Sequence, residues 1–303
     1  MVDIVHHAVI GTAGAVAAAA LGHPDFGVAF LLASLVPDLD VLFVAIGKTR
    51  FLRLHQGATH SFAGIAAISV VGSVVTSLAT GGGFLEIVGG FVAGMSVHVV
   101  LDLLNTFGVM LLWPFSRRRF CADAFFFIDL WVLLASVGTL VGLLVGCPPL
   151  TSIVGWASFV VAYAAFKTAC RLAVRRRFGS ETEVPSGIRP LRWFVTRRGV
   201  DDTFIGGPCV WVSTVDLPSF REHGRAWYRA PSQELLDELR TGELYPDLEG
   251  SLKRFMPVKI KRVGSREIVV TSRCVAVPNF GNRYGETTSE VHSGRVVRET
   301  ARI

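Results

Sequence analysis

The sequence predicts an all-α, multi-pass membrane domain of about six helices followed by a small, mostly β cytosolic domain. Hydrophobic residues make up 51% of the 303 positions, the mean hydropathy is +0.49 and only 18% of residues are charged. That leaves more apolar surface than one soluble core can hide. Charge is also divided unevenly. Residues 1–170 hold seven of the 30 Lys and Arg and eight of the 24 Asp and Glu, leaving 23 and 16 for the remainder. The front is close to neutral and the back is basic. Beyond Arg177 the long apolar runs give way to proline, glycine and short alternating segments.

Six apolar runs approach the length needed to cross about 30 Å of hydrocarbon. They are Ala8 to Gly22, Gly27 to Ile46, Phe62 to Ala79, Ile87 to Leu112, Ile128 to Val145 and Ser152 to Ala169. The first is short, and Pro37 and two aspartates interrupt the second. No basic stretch precedes the Ala-rich run near the N-terminus, so a cleavable signal peptide is not expected. Lys48, Arg50 and Arg53 follow the second run, Arg117, Arg118 and Arg119 the fourth, and Arg171, Arg175, Arg176 and Arg177 the sixth. Positive residues gather on the cytoplasmic side. The expectation is an inner-membrane protein with its N-terminus and C-terminal domain in the cytoplasm.

The expected organisation is a transmembrane domain over 1–177, a linker over 178–190 and a soluble domain over 191–303. Within the last, Leu191 to Thr196, Cys209 to Thr214, Val258 to Arg262 and Glu267 to Ser272 read as strands. Ser232 to Arg240 reads as a helix capped by Ser232, and the chain after Asn279 as a frayed polar tail. Cys121, Cys147, Cys170, Cys209 and Cys274 stand singly, without disulfide or metal spacing. The basic tail suits anionic lipid headgroups or an acidic cytosolic protein partner; nucleic-acid binding is not expected.

Six of the eight histidines lie within the first 98 residues. His98 and Asp102 are four residues apart in the fourth run, so their side chains stack on one helical face, which Asn105 continues. An aspartate in lipid is costly and usually functional. His55 and His60 bracket His-Gln-Gly-Ala-Thr-His-Ser. Asp38 and Asp40 follow Pro37, and two carboxylates so close repel unless a cation or proton lies between them. His6 and His7 precede the first run, and Asp129 opens the fifth. The topology drawn from Lys and Arg places His6, Asp38, Asp40, His55, His60, Asp102 and Asp129 at one membrane boundary, with His98 one turn deeper. A mixed His and Asp shell suits two or three divalent ions, Zn2+ first and Mn2+ second, with open positions. Asp40, His55 and Asn105 are candidates to support a metal-bound water.

These blocks resemble the YdjM-type family of membrane-bound, metal-dependent hydrolases. The resemblance rests on Pro37-Asp38-Leu39-Asp40, His55-Gln56-Gly57-Ala58-Thr59-His60-Ser61, and His98-x-x-x-Asp102-x-x-Asn105-x-x-Gly108 running into Pro114-Phe115-Ser116. Gln56 stands where the family block commonly has arginine, and Leu130 where a proline often follows the aspartate. The family is distantly similar to zinc-dependent phospholipase C and single-strand nucleases. That similarity implies a phospholipase C-like helical core, phosphoester hydrolysis, and His6, Asp38, His60, His98 and Asp102 as the first ligands, with His55, Asp40 and Asp129 next.

The function expected is hydrolysis of a phosphoester, in a membrane lipid or a small metabolite, at the cytoplasmic interface. Two other classes stand beside it. A divalent-metal transporter would also place His and Asp in the membrane, and a membrane anchor would use its β domain to recruit a partner.

Overall fold

The structure, a computed structural model, describes residues 3–42, 57–106, 108–126, 129–187, 189–201, 207–251, 255–263, 267–274 and 286–302. Lys48, Arg50, Arg53, His55, Gln56 and Asn279 lie outside the described residues. The described chain divides into two compact units, one ending at Thr168 and the other beginning at Ala169.

The first unit is helical. Its order is α1 (Asp3–Ala20), α2 (Pro24–Leu35), a 3-10 segment (Val36–Leu42), a 3-10 turn (Ala58–His60), α3 (Phe62–Thr80), α4 (Phe84–Leu104), α5 (Leu130–Leu144) and α6 (Pro149–Phe178), whose turns from Ala169 onward belong to the second unit. Among the described residues, α3, α4 and α6 are long and apolar enough to cross a membrane, while α1 and α5 are apolar but shorter. Several boundaries differ from those expected. α1 begins at Asp3, so His6 and His7 lie inside it rather than before it. The α-helix of the second run stops at Leu35 because Pro37 cannot continue its hydrogen bonding. α4 stops at Leu104, where Asn105 turns to extended backbone as its C-cap.

α3 is built inside out. Val71, Val75 and Leu78 are 63%, 60% and 83% exposed, while Ser69, Ser73 and Thr76 are buried. Water would reverse that pattern; lipid tolerates it, because small polar residues suit helix contacts there. α2 and α4 pack backbone to backbone. Gly90 faces Phe26 O and Ala29, and a Cβ at Gly94 would stand 2.5 Å from Phe30 O. Only glycine permits that approach. α1 lies between neighbours: Gly11 and Gly14 face Ser34 and Phe30 of α2, whereas Ala13 and Ala17 cluster with Leu143 of α5.

The second unit carries two antiparallel sheets. β1 (Arg192–Asp201), β2 (Gly207–Asp216) and β3 (Arg221–Arg229) form the first. Its core joins Trp193, Val195 and Val215 to Val184 and to Val174 in the last turns of α6. Glu183 and Ser186, in the stretch expected as linker, bridge to Thr196 and Trp193. β4 (Phe255–Arg262), β5 (Glu267–Cys274), β6 (Glu286–His292) and β7 (Arg295–Arg302) form the second. Two short helices, α7 (Gln233–Leu239) and α8 (Leu244–Ser251), pack on β6 and β7. Ser232 caps α7 as expected, accepting from Leu235 N at 3.2 Å.

The frayed tail expected after Asn279 is corrected by this sheet, because 286–302 is a β-hairpin. Thr287, Ser289 and Val291 alternate inward along β6, a period-2 pattern hidden by small polar residues. Ser293 and Gly294 both adopt positive φ, the geometry of a tight hairpin turn.

Candidate metal centre

Pro37 ends α2 and at the same time provides the first anchor of the site. It has no N–H to return to Ser34 in the 3-10 segment, and Ser34 O instead accepts from His98 Nδ1 at 2.8 Å. The same segment carries Asp38 inward. His98 is delivered by the glycine stripe of α4. Gly90, Gly94 and His98 are spaced by four, as are Phe26, Phe30 and Ser34 on α2, so each step along one helix meets a step along the other. His60 closes the 3-10 turn before α3. Its Nδ1 lies 2.9 Å from Thr59 Oγ1, and Ser61 caps α3 by accepting from Gly64 N at 3.0 Å.

Asp38, His60, His98 and Asp102 are all buried, and each offers a ligand atom within 4.8 Å of the others. The two Nε2 atoms of His98 and His60 are 3.1 Å apart. His98 Nε2 is 3.6 Å from Asp38 Oδ1 and 3.8 Å from Asp102 Oδ2, and His60 Nε2 is 3.2 Å from Asp102 Oδ2. A carbonyl oxygen only accepts, so Nδ1 of His98 carries the proton and Nε2 of the neutral ring is a bare lone pair. That lone pair faces a nitrogen and two carboxylate oxygens. Such a set is relieved either by a proton on His60 Nε2, shared toward His98 and Asp102, or by a cation among the four residues. Two imidazoles and two carboxylates are the donor chemistry of zinc and, with more oxygen, manganese; the residues present fit a divalent ion.

Asp102 is held from its other side. His7 Nε2 lies 3.3 Å from its Oδ1, and Asn105 Nδ2 stands at 3.4 Å. Gly108 N donates to Asn105 Oδ1 at 3.0 Å, which orients that amide. The His7 ring stacks on His98, with centroids 3.7 Å apart and planes 20° from parallel. The end of α4 is anchored too: Ala122 N donates to Leu103 O at 2.7 Å and Ala124 N to Leu104 O at 3.0 Å, satisfying carbonyls a helix end leaves open.

The profile of the YdjM inner membrane protein family matches residues 1–174. The chain belongs to the YdjM inner membrane protein family. No curated protein and no solved structure matches it. The YdjM match takes in every residue of the four-ligand group and all six helices up to Val174; the β sheets lie beyond it.

Of the eight ligands expected in this YdjM chain, four converge. His6, Asp40 and Asp129 stand outside the group, and His55 lies outside the described residues. His6 is buried on the α5 side of α1, its Nε2 without a hydrogen-bond partner among the described residues. Asp40 is buried two residues beyond Asp38, where the turn of the 3-10 segment carries it to another side. Asp129 caps α5: its Oδ1 accepts from Trp131 N at 3.1 Å, and its Oδ2 from Tyr163 OH at 3.4 Å. His7 is the residue the sequence reading left out. The signal for it is the pair Gly11 and Gly14, four and seven residues on, which marks the face of α1 turned to α2.

Proposed function

We propose that the protein is a multi-pass inner-membrane hydrolase that opens the phosphoester of a membrane lipid or a small phosphorylated metabolite at a cytoplasmic metal centre. The observation that carries this reading is the convergence of four buried ligand atoms from Asp38, His60, His98 and Asp102 within 4.8 Å. A buried set of this kind suits a counter-cation, and it contains no cysteine, whose presence would favour a closed structural zinc. A divalent ion held there, Zn2+ before Mn2+, would supply Lewis acidity toward a phosphoryl oxygen and lower the pKa of a water to near 7.

The protein's own groups prepare the site for that work. Ser34 O fixes the His98 ring with Nε2 inward, and Thr59 meets the outer nitrogen of His60. His7 and Asn105 hold Oδ1 of Asp102, so that Oδ2 faces His60. This orientation by outer partners is what tunes ligand basicity in metal sites. Cytoplasmic placement of both termini follows from the Lys and Arg distribution. On this reading the β unit is a cytoplasmic module available to a protein partner.

The deciding experiment is elemental analysis of the purified full-length protein, followed by a panel of phosphodiester and phospholipid substrates. Stoichiometric zinc or manganese with turnover lost in His98→Ala/Asp102→Ala supports the proposal. A protein that binds neither metal, or a double variant that turns over as the parent does, overturns it.

A further inference from the structure

A crevice of about 640 Å3 opens between α1, α2, α4, α5 and α6, within the size range of small-molecule sites. Along α1 the small residues Ala13, Gly14 and Ala18 hollow it out, between Ile10 at one end and Leu21 at the other. Its polar side chains turn their donors into the wall. Ser136 Oγ donates to Val132 O at 2.7 Å and accepts from Trp156 Nε1 at 2.9 Å, and Thr139 Oγ1 donates to Ala135 O at 2.9 Å. What remains is a hydrocarbon surface, where a sugar, nucleotide or ion would lose its hydration without compensation.

Length selects among apolar occupants. From Ile10 to Leu21 the helix rises about 17 Å at 1.5 Å per residue, close to half of the roughly 30 Å hydrocarbon core. That is the depth of one leaflet, and hence of one acyl chain. Two of the walls, α4 and α6, are helices long and apolar enough to cross a bilayer. At the Leu21 end, His23 Nδ1 lies 3.1 Å from Glu86 Oε1, and both side chains are open to the surroundings. The crevice therefore has the polarity of a lipid: hydrocarbon along its length and hydrogen-bonding groups at one mouth.

We propose that this crevice binds a phospholipid by one acyl chain, with the headgroup at the His23–Glu86 rim. The headgroup rim stands about 20 Å along α1 from His7, while the chain-terminus end at Ile10 comes within one turn of it; the proposal does not rest on the hydrolytic reading.

The test uses the full-length protein in nanodiscs containing phosphatidylethanolamine with a diazirine on one acyl chain, and maps the cross-linked peptides by mass spectrometry. A diazirine at the chain terminus is expected to label α1 near Ile10, and one near the glycerol to label it near Leu21 and His23. Ala13→Leu and Thr139→Leu, which project into the space from two walls, are expected to lower crevice labelling about tenfold while labelling of α3 stays constant. Absence of crevice label in the parent, the reverse order of the two probes, or label unchanged in correctly folded variants overturns the proposal. The probe order is read on the parent, so the result stands even where neither variant folds.

Discussion

At the residue scale, the spacing of His98 and Asp102 was readable because helix geometry alone stacks positions four apart. The choice between His6 and His7 was not, because neighbours on a helix differ by about 100° and only packing says which one turns to the site. Gly11 and Gly14 settle it by bringing that face of α1 against α2, and His7 reaches Asp102 at 3.3 Å. Partners of this kind typically carry a 10- to 100-fold effect on metal affinity. His7→Ala is therefore expected to weaken zinc binding by about that factor in a competition assay with a chromogenic chelator, and His6→Ala by much less. Equal losses in the two variants contradict the placement. Asp38 illustrates the same limit: Asp40 carries the same group, and the pitch of the 3-10 segment separates them.

At the element scale, the apolar runs announced the helices, but the stripe Gly90, Gly94, His98 acquires its meaning only beside Phe26, Phe30 and Ser34. A side chain at Gly94 meets Phe30 O at 2.5 Å, so Gly94→Val is expected to lower stability by about 1–3 kcal/mol through overpacking and to reduce metal content as His98 parts from Ser34. Gly138 on α5 has open space around it. Gly138→Ala is expected to leave metal content unchanged and to raise the thermal midpoint in detergent slightly, because alanine is the better helix former by up to about 1 kcal/mol. The opposite ranking of the two variants removes the argument for close α2–α4 packing. In the β unit, Glu299 on β7 receives the backbone N–H groups of Glu243, Leu244 and Tyr245 at 2.9, 2.7 and 3.2 Å. It caps α8 from a distant strand. Glu299→Ala is expected to cost about 1 kcal/mol, measured by denaturant melts of the full chain; a neutral result means the cap is not used. β7 and this cap were invisible in the sequence, since in Arg295 to Arg302 the pairs Val296-Val297, Arg298-Glu299 and Thr300-Ala301 break any period-2 apolar stripe.

At the scale of the whole molecule, the two units present different surfaces. The helical unit exposes valines and leucines and buries serines, while the β unit carries ion pairs such as Arg192–Asp216 and Arg240–Glu249. One of these pairs gives the molecule an acid response. The Arg192 guanidinium, hydrogen-bonded to Asp216, holds that carboxyl below its ordinary value. A carboxylate with a lowered folded pKa adds stability that is present above about pH 4, the unfolded value, and is lost as pH falls through the folded one. Asp216→Asn is expected to flatten this small acid-side loss, followed by near-UV circular dichroism between pH 6 and about 2. A variant with the parent's acid profile assigns the response elsewhere.

Composition and charge were enough to determine that the chain has an apolar helical front and a basic β back, because burial preference and hydropathy act residue by residue. Helix period alone placed His98 and Asp102 on one face. Tertiary structure decided which of the remaining histidines and aspartates meet them. Convergence depends on the rotation and depth of α1, α2 and α4 relative to one another, and those are set by glycine and alanine contacts between helices, which bring His7 to Asp102 across 95 residues of sequence and which no local pattern records.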